Sequence, residues 1–129
     1  MTRLLLITLL VLSHGPVYAE WMRVIEIDEG MTAYVDPDTI RRRGELVQMW
    51  VLFDYKTVQT NAGKSFLSMR SQSQFDCADD FTQMLSYTVF SGHMETGDIL
   101  AHSDDKHQWR LVPPGSITQT LWEVACDKQ

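Results

Sequence analysis

The sequence predicts an α+β domain: an antiparallel sheet of about six strands, with one C-terminal helix attached by a disulfide. Three observations predict it. Residues Glu45 to Gln59 alternate with a period of two, placing Val47, Met49, Val51, Phe53 and Tyr55 on one face. Turn-forming clusters punctuate the chain between short β-rich runs. A capped amphipathic stripe follows Pro113-Pro114-Gly115 at the C-terminal end.

The first nineteen residues read as an export address rather than as part of the domain. Met1-Thr2-Arg3 carries one positive charge. Leu4 to Leu12 is apolar apart from Thr8, and Ser13-His14-Gly15-Pro16 breaks the run. Val17 and Ala19 place small residues at −3 and −1 for cleavage before Glu20. A run of this length covers about half of the ~20 residues a transmembrane helix needs, and no second long apolar run follows. Residues 1–19 are therefore expected to be a cleaved signal peptide, and residues 20–129 a single domain.

Within that domain, Trp21 to Ile27 and Met31 to Val35 read as a hairpin around Asp28-Glu29-Gly30. Trp21, Arg23, Ile25 and Ile27 are expected on one face. Asp36-Pro37-Asp38-Thr39 ends the second strand, because Pro37 cannot donate to a ladder, and Ile40 to Gly44 is read as a connector. Glu45 to Gln59 is the longest strand candidate. Its second face carries Trp50 and Leu52 beside Gln48 and Asp54, so a helix or another subunit is expected to cover that side as well. After Thr60-Asn61-Ala62-Gly63, Lys64 to Phe75 returns as a polar strand and Asp76 to Asp80 turns. Phe81 to Phe90 continues the sheet, with Phe81, Leu85, Tyr87 and Val89 expected on one face. Gly92 and Gly97 bracket a loop. Ile99-Leu100 and Trp109 to Val112 are short strand candidates around a polar loop, His102 to Gln108. Ser116 with Gln119 forms a capping box, and Ile117, Leu121, Val124 and Ala125 make one helical stripe.

Composition excludes some functions. The 129-residue chain carries 11 Lys and Arg against 17 Asp and Glu, a formal charge of −6, which lacks the basic footprint of a nucleic-acid binder. Its charge is uneven: residues 41–70 hold six basic and two acidic groups, and residues 71–105 hold seven acidic groups and no basic one. Oppositely charged neighbouring strands account for such a pattern, as does a partner surface.

No catalytic constellation emerges. Ser116 follows Pro-Pro-Gly as a helix cap, and Ser103-Asp104-Asp105-Lys106 matches S-x-x-K by chance, without its partner motifs. His93, His102 and His107 fall in loops without an i, i+4 helical pair, and Asp104 and Asp105 beside them read as solvated acids. Asp36 and Asp38 lack the other ligands of a calcium loop. Asp76, Asp79 and Asp80 are close together, yet nothing marks one as desolvated. Arg41-Arg42-Arg43 reads as a solvated connector, with anion binding the sharper alternative. No catalytic residue, metal site or cofactor is assigned. An exposed member of Trp50, Trp109 and Trp122 would be a candidate anchor for a partner.

Two cysteines, Cys77 and Cys126, lie in the exported part, where disulfides persist. Paired within one chain, they would close a loop of about 50 residues, worth roughly 4 kcal/mol on the chain-entropy model. No CxxC pair or zinc spacing supports the alternatives of a catalytic thiol or a metal site.

An ordered set of segments resembles the surface-adhesin protein E-like family of Gram-negative bacteria. They are Ala33-Tyr-Val-Asp-Pro-Asp-Thr-Ile-Arg41, Val47-Gln-Met-Trp-Val-Leu-Phe-Asp-Tyr-Lys56, Phe75-Asp-Cys77, Trp109-Arg-Leu-Val-Pro-Pro-Gly-Ser116 and Leu121-Trp-Glu-Val-Ala-Cys126. The resemblance implies a small antiparallel sheet with an attached C-terminal helix, and a disulfide from the Asp-Cys strand to the helix end. It also implies an exported protein that binds host extracellular-matrix proteins and forms a dimer. The chain departs from an anchored adhesin in having no lipobox Cys at the cleavage site. The expectation is an exported, non-enzymatic interaction module, at the outer-membrane surface or in the periplasm, whose partner is a host matrix protein or an envelope component. A homodimer through the second apolar sheet face is expected, and no binding residues are assigned. The alternative is a periplasmic envelope or stress accessory protein.

Overall fold

A computed structural model describes residues 20–27 and 30–127; the expected signal peptide lies outside the described residues. Among these residues, eight strands form one antiparallel sheet, and one α-helix follows it. The strands are β1 (Met22–Ile27), β2 (Met31–Val35), β3 (Arg41–Arg43), β4 (Leu46–Asn61), β5 (Lys64–Asp76), β6 (Phe81–Phe90), β7 (Ile99–Ser103) and β8 (Arg110–Leu111), and the helix is α1 (Ile117–Cys126). The main path runs β1-β2-β4-β5-β6-β7, with β3 on the free end of β4 and β8 on the free end of β6. The expected α+β class and sheet-then-helix order hold, with more strands than the six read from periodicity.

The extra strand on the β4 side arises at Arg41–Arg43, where a connector was expected. Asp36 accepts from the Asp38 backbone N–H at 3.1 Å and caps a 3-10 turn over Pro37–Thr39. Ile40 then extends (φ −67°, ψ 122°) and swings the chain back alongside β4, so that Arg42 pairs with Val47.

Among the described residues, four register shifts interrupt the sheet, and two of them move residues off the faces expected from alternation. In β1 the register shifts at Val24, so Ile25 pairs with Ala33 while Arg23 pairs with Tyr34 on the opposite side. In β6 the shift falls at Leu85. Thr82 and Met84 lie on the same face as Tyr87 and Val89, and Phe81 moves to the other face. A strict alternation cannot show such a shift, because one extra residue inverts every side chain beyond it.

The inner face carries the core. Ala33, Val35, Val47, Met49, Val51 and Phe75 are buried against Leu121, Trp122, Ala125 and Cys126 of α1. Ser116 caps α1 by accepting from the Gln119 N–H at 3.1 Å. A helix of ten residues has little stability of its own, so its place depends on this packing. Cys77 and Cys126 are bonded, with Cα atoms 5.6 Å apart. The bridge ties the last residue of α1 to the turn after β5. The Trp122 indole N–H donates to the Asp76 carbonyl at 2.8 Å beside it.

The outer face, where a helix or second subunit was expected over Trp50 and Leu52, is covered in its upper half by the chain's own loop 91–98. Leu52 is fully buried there. The sheet thus does not need a partner subunit to bury Leu52.

Thiol titration of the denatured, unreduced protein should detect no free thiol, and the double substitution Cys77→Ser/Cys126→Ser should lower stability by roughly 4 kcal/mol in urea denaturation. A second test uses Tyr55, which packs edge-on against Phe66 at 5.7 Å and whose hydroxyl pKa burial raises above the usual 10.0. The unfolded chain loses this proton first, so the fold's stability falls as pH rises from 10 toward the raised value. Tyr55→Phe should flatten that alkaline loss relative to the parent protein.

Candidate functional site

The outer face divides into a covered upper half and a bare lower half. In the upper half, the Arg70 guanidinium lies 5.4 Å from the Trp50 ring centre and 5.5 Å from that of Phe90. Its Nη1 donates to Glu95 Oε1 at 2.7 Å, and the Trp21 indole donates to Glu95 Oε2 at 2.6 Å. Glu95 therefore joins the loop to both the sheet and the start of the domain. Ser68 donates to the Gly92 carbonyl at 2.7 Å and accepts from the Glu95 N–H at 3.1 Å. Asp54 accepts from the Met94 N–H at 2.8 Å and lies 3.3 Å from His93 Nδ1. These bonds hold Met94 and Glu95 in left-handed conformations (φ 51° and 63°), which non-glycine residues adopt at some cost. A Cβ at Gly92 would collide with Thr96, so the turn closes only around glycine there.

The lower half presents a flat surface. Gln48, Gln74 and Gln83 stand in register on β4, β5 and β6. Gln48 donates to Gln74 at 3.3 Å, Gln74 to Gln83 at 3.2 Å, and Gln83 to the His107 carbonyl at 2.9 Å. One row further down, Arg43, Leu46, Asp76, Phe81 and Leu111 are paired across the same face. Leu111 is 62% exposed, Phe81 36% and the nearby Trp109 41%. Phe81 and Leu111, paired on β6 and β8, with Trp109 in the loop that leads into β8, stand beside an amide ladder; apolar anchors with polar surroundings are the elements of a protein-binding patch.

Trp109 is the exposed tryptophan, Trp122 is buried, and Trp50 is half-buried under Arg70. His102 bonds Thr88 Oγ1 through Nδ1 at 2.8 Å and approaches Asp104 at 3.1 Å on an exposed edge. His93 stands apart, beside Asp54. Ser103 accepts from the Asp105 N–H at 3.1 Å as a loop turn, with no tie to Lys106 among the described contacts. Asp76 accepts from the Ala78 N–H at 3.0 Å, and the Asp80 carbonyl accepts from Val112 at 2.8 Å. Asp76 thus caps the turn with its carboxylate, whereas Asp80 contributes its backbone. Arg41, Arg42 and Arg43 are exposed on β3, where Arg41 bonds the Asp38 and Ile40 carbonyls. Among the described residues no three His, Cys, Asp or Glu side chains gather as a metal would require, and no helix is long and apolar enough to cross a membrane. The sequence does not mark the glutamine ladder, Phe81 and Leu111 as one surface, because their juxtaposition exists only once the β6 bulge sets the register.

Comparison with known proteins agrees with this architecture. The sequence profile of the surface-adhesin protein E family matches residues 21–127. Crystal form II of Haemophilus influenzae protein E superposes with a TM-score of 0.64 at 13% identity, covering 87% of this chain and 91% of that one. A second structure of Haemophilus influenzae protein E gives 0.62 at 14% identity, over 87% of each chain. Protein E from non-typeable Haemophilus influenzae gives 0.61 at 14% identity, over 88% of this chain and 80% of that one. No curated protein sequence matches the chain significantly.

The upper half should behave as a latch. Arg70→Met keeps the apolar stem but removes the charge from Glu95, and should cost about 2 kcal/mol. Hydrogen exchange should speed up in residues 91–98 and leave the lower rows of β4 and β5 unchanged.

Proposed function

Because the chain belongs to the surface-adhesin protein E family, we propose that it is an exported, non-enzymatic binding module whose partner is a protein. The observation that carries this reading is the lower outer face. It offers exposed Phe81, Trp109 and Leu111 beside a glutamine ladder. Strand backbones hold Phe81 and Leu111, so little ordering entropy is lost there on docking. The Cys77–Cys126 bridge suits an oxidising compartment. The signal-like residues 1–19, cleaved before Glu20, would deliver the domain of residues 20–129 there.

The partner class we propose is the one the sequence resemblance implies, a host extracellular-matrix protein, and membership of a surface-adhesin family supports it. A second reading, a periplasmic envelope or stress accessory protein, is favoured by one specific feature. No Cys stands at the expected cleavage junction to carry a lipid anchor. Both readings use the same surface and differ in which side of the outer membrane it faces.

Protease added to intact cells separates them: digestion of the domain supports surface display, and protection until the outer membrane is opened supports the periplasmic reading. Binding is tested on immobilised extracellular-matrix protein. Phe81→Ser with Leu111→Ser should weaken capture by about 2 kcal/mol, roughly thirty-fold. Val58→Ser, at an exposed apolar residue beyond the latch end of β4, should leave capture unchanged.

A further inference from the structure

Helix α1 covers only part of the inner face, and the uncovered part is a trough. Two hollows run along it. One lies against α1 and measures about 260 Å³. The other, toward β7, measures about 370 Å³. Met84 and His107 line both, so the hollows are neighbours that share one wall. The walls are mostly apolar: Phe53 in the first, and Phe66, Met69, Tyr87 and Val89 in the second. The His107 ring stacks flat on Tyr87, with centroids 6.1 Å apart and planes 8° from parallel, and stiffens that shared wall.

The charge of the lining is unlike that of the chain. Acidic residues outnumber basic ones 17 to 11 in the sequence. Yet no Asp or Glu lines either hollow, and the charged liners are Arg110 at the α1 end and Lys64 at the β7 end. Lys64 Nζ donates to the Leu100 carbonyl at 2.9 Å, which holds the ammonium at the rim of the larger hollow. Two of its three protons point elsewhere. The larger hollow falls within the ~300–1,000 Å³ of small-molecule sites, whereas a protein partner needs about 800 Å² of surface on each side.

We propose that this trough binds a single-chain anionic amphiphile, a free medium-chain fatty-acid carboxylate, with its tail along Met69, Met84 and Tyr87 and its carboxylate against Lys64. The methionines suit a flexible tail because their thioether chains adapt to an irregular guest. A cationic amphiphile of equal length has no carboxylate to meet in the lining. This site lies on the opposite face of the sheet from the partner surface, so the two can be tested apart.

The probe is sodium dodecanoate, below its micelle concentration, titrated calorimetrically into the purified oxidised protein. One dodecanoate should bind per domain, and dodecyltrimethylammonium should not bind. Lys64→Glu, at an exposed residue, should weaken dodecanoate binding at least tenfold with an unchanged melting temperature. Met69→Gln should weaken it independently. Absence of saturable binding, a stoichiometry of several molecules per domain, equal binding of the cationic amphiphile, or indifference to Lys64→Glu would overturn the proposal. So would competition for the trough by an extended apolar peptide that binds when dodecanoate does not.

Discussion

The attachment of α1 to the turn after β5 is the constraint on which the rest of the molecule depends. A single sheet has two faces and cannot bury either without a cover. Here the inner cover is a helix of ten residues, too short to persist alone. The Cys77–Cys126 bond and the Trp122 indole on the Asp76 carbonyl fix its end to the sheet. Packing of Leu121 and Ala125 on Val47, Met49 and Phe75 does the rest. The anchor point also sets the extent of the cover. A short helix tied at Cys77 reaches β1 and one end of β4 and β5, and leaves the inner side beyond its flank, across β5 and β6 to β7, open as a trough.

The outer face is covered by different means. Its upper half closes under loop 91–98, held by charge, aromatic rings and backbone bonds over buried Leu52. Arg70 spans Trp50 and Phe90 and ends on Glu95, which Trp21 also engages. The basic middle and acidic later part of the sequence therefore meet at one specific pair as well as through general strand neighbourhood. The lower half has no cover among the described residues. Its amides bond one another along the ladder, so their polar demand is met on the sheet, and Phe81, Trp109 and Leu111 remain exposed.

Much of this was legible in the sequence. Continuous alternation marked β4, turn chemistry marked the hairpins, and a cap with a stripe marked α1, because each signal is local. Two cysteines in an exported chain pointed to the bridge. What was hidden depends on register. The bulges at Val24 and Leu85 insert one residue each and reverse the faces beyond them, so Arg23 and Phe81 lie opposite to where strict alternation puts them. Arg41–Arg43 pairs with β4 only because a capped 3-10 turn redirects the chain, and three arginines carry no apolar signal for a strand. Leu52 was correctly read as needing a cover, but a polar loop with two glycines gives no hint that it folds back to supply one.

The central claim is that an exported domain uses the bare lower half of its outer face to hold a protein partner. The most direct measurement is photo-crosslinking in the native cell, with a photoreactive residue placed at position 81 or 111 and, as comparison, at position 58. Discrete crosslinked species from 81 and 111, with none from 58, are the predicted result. Crosslinks from 58 alone, or none from 81 and 111 under conditions where the cells bind matrix protein through this domain, would contradict it.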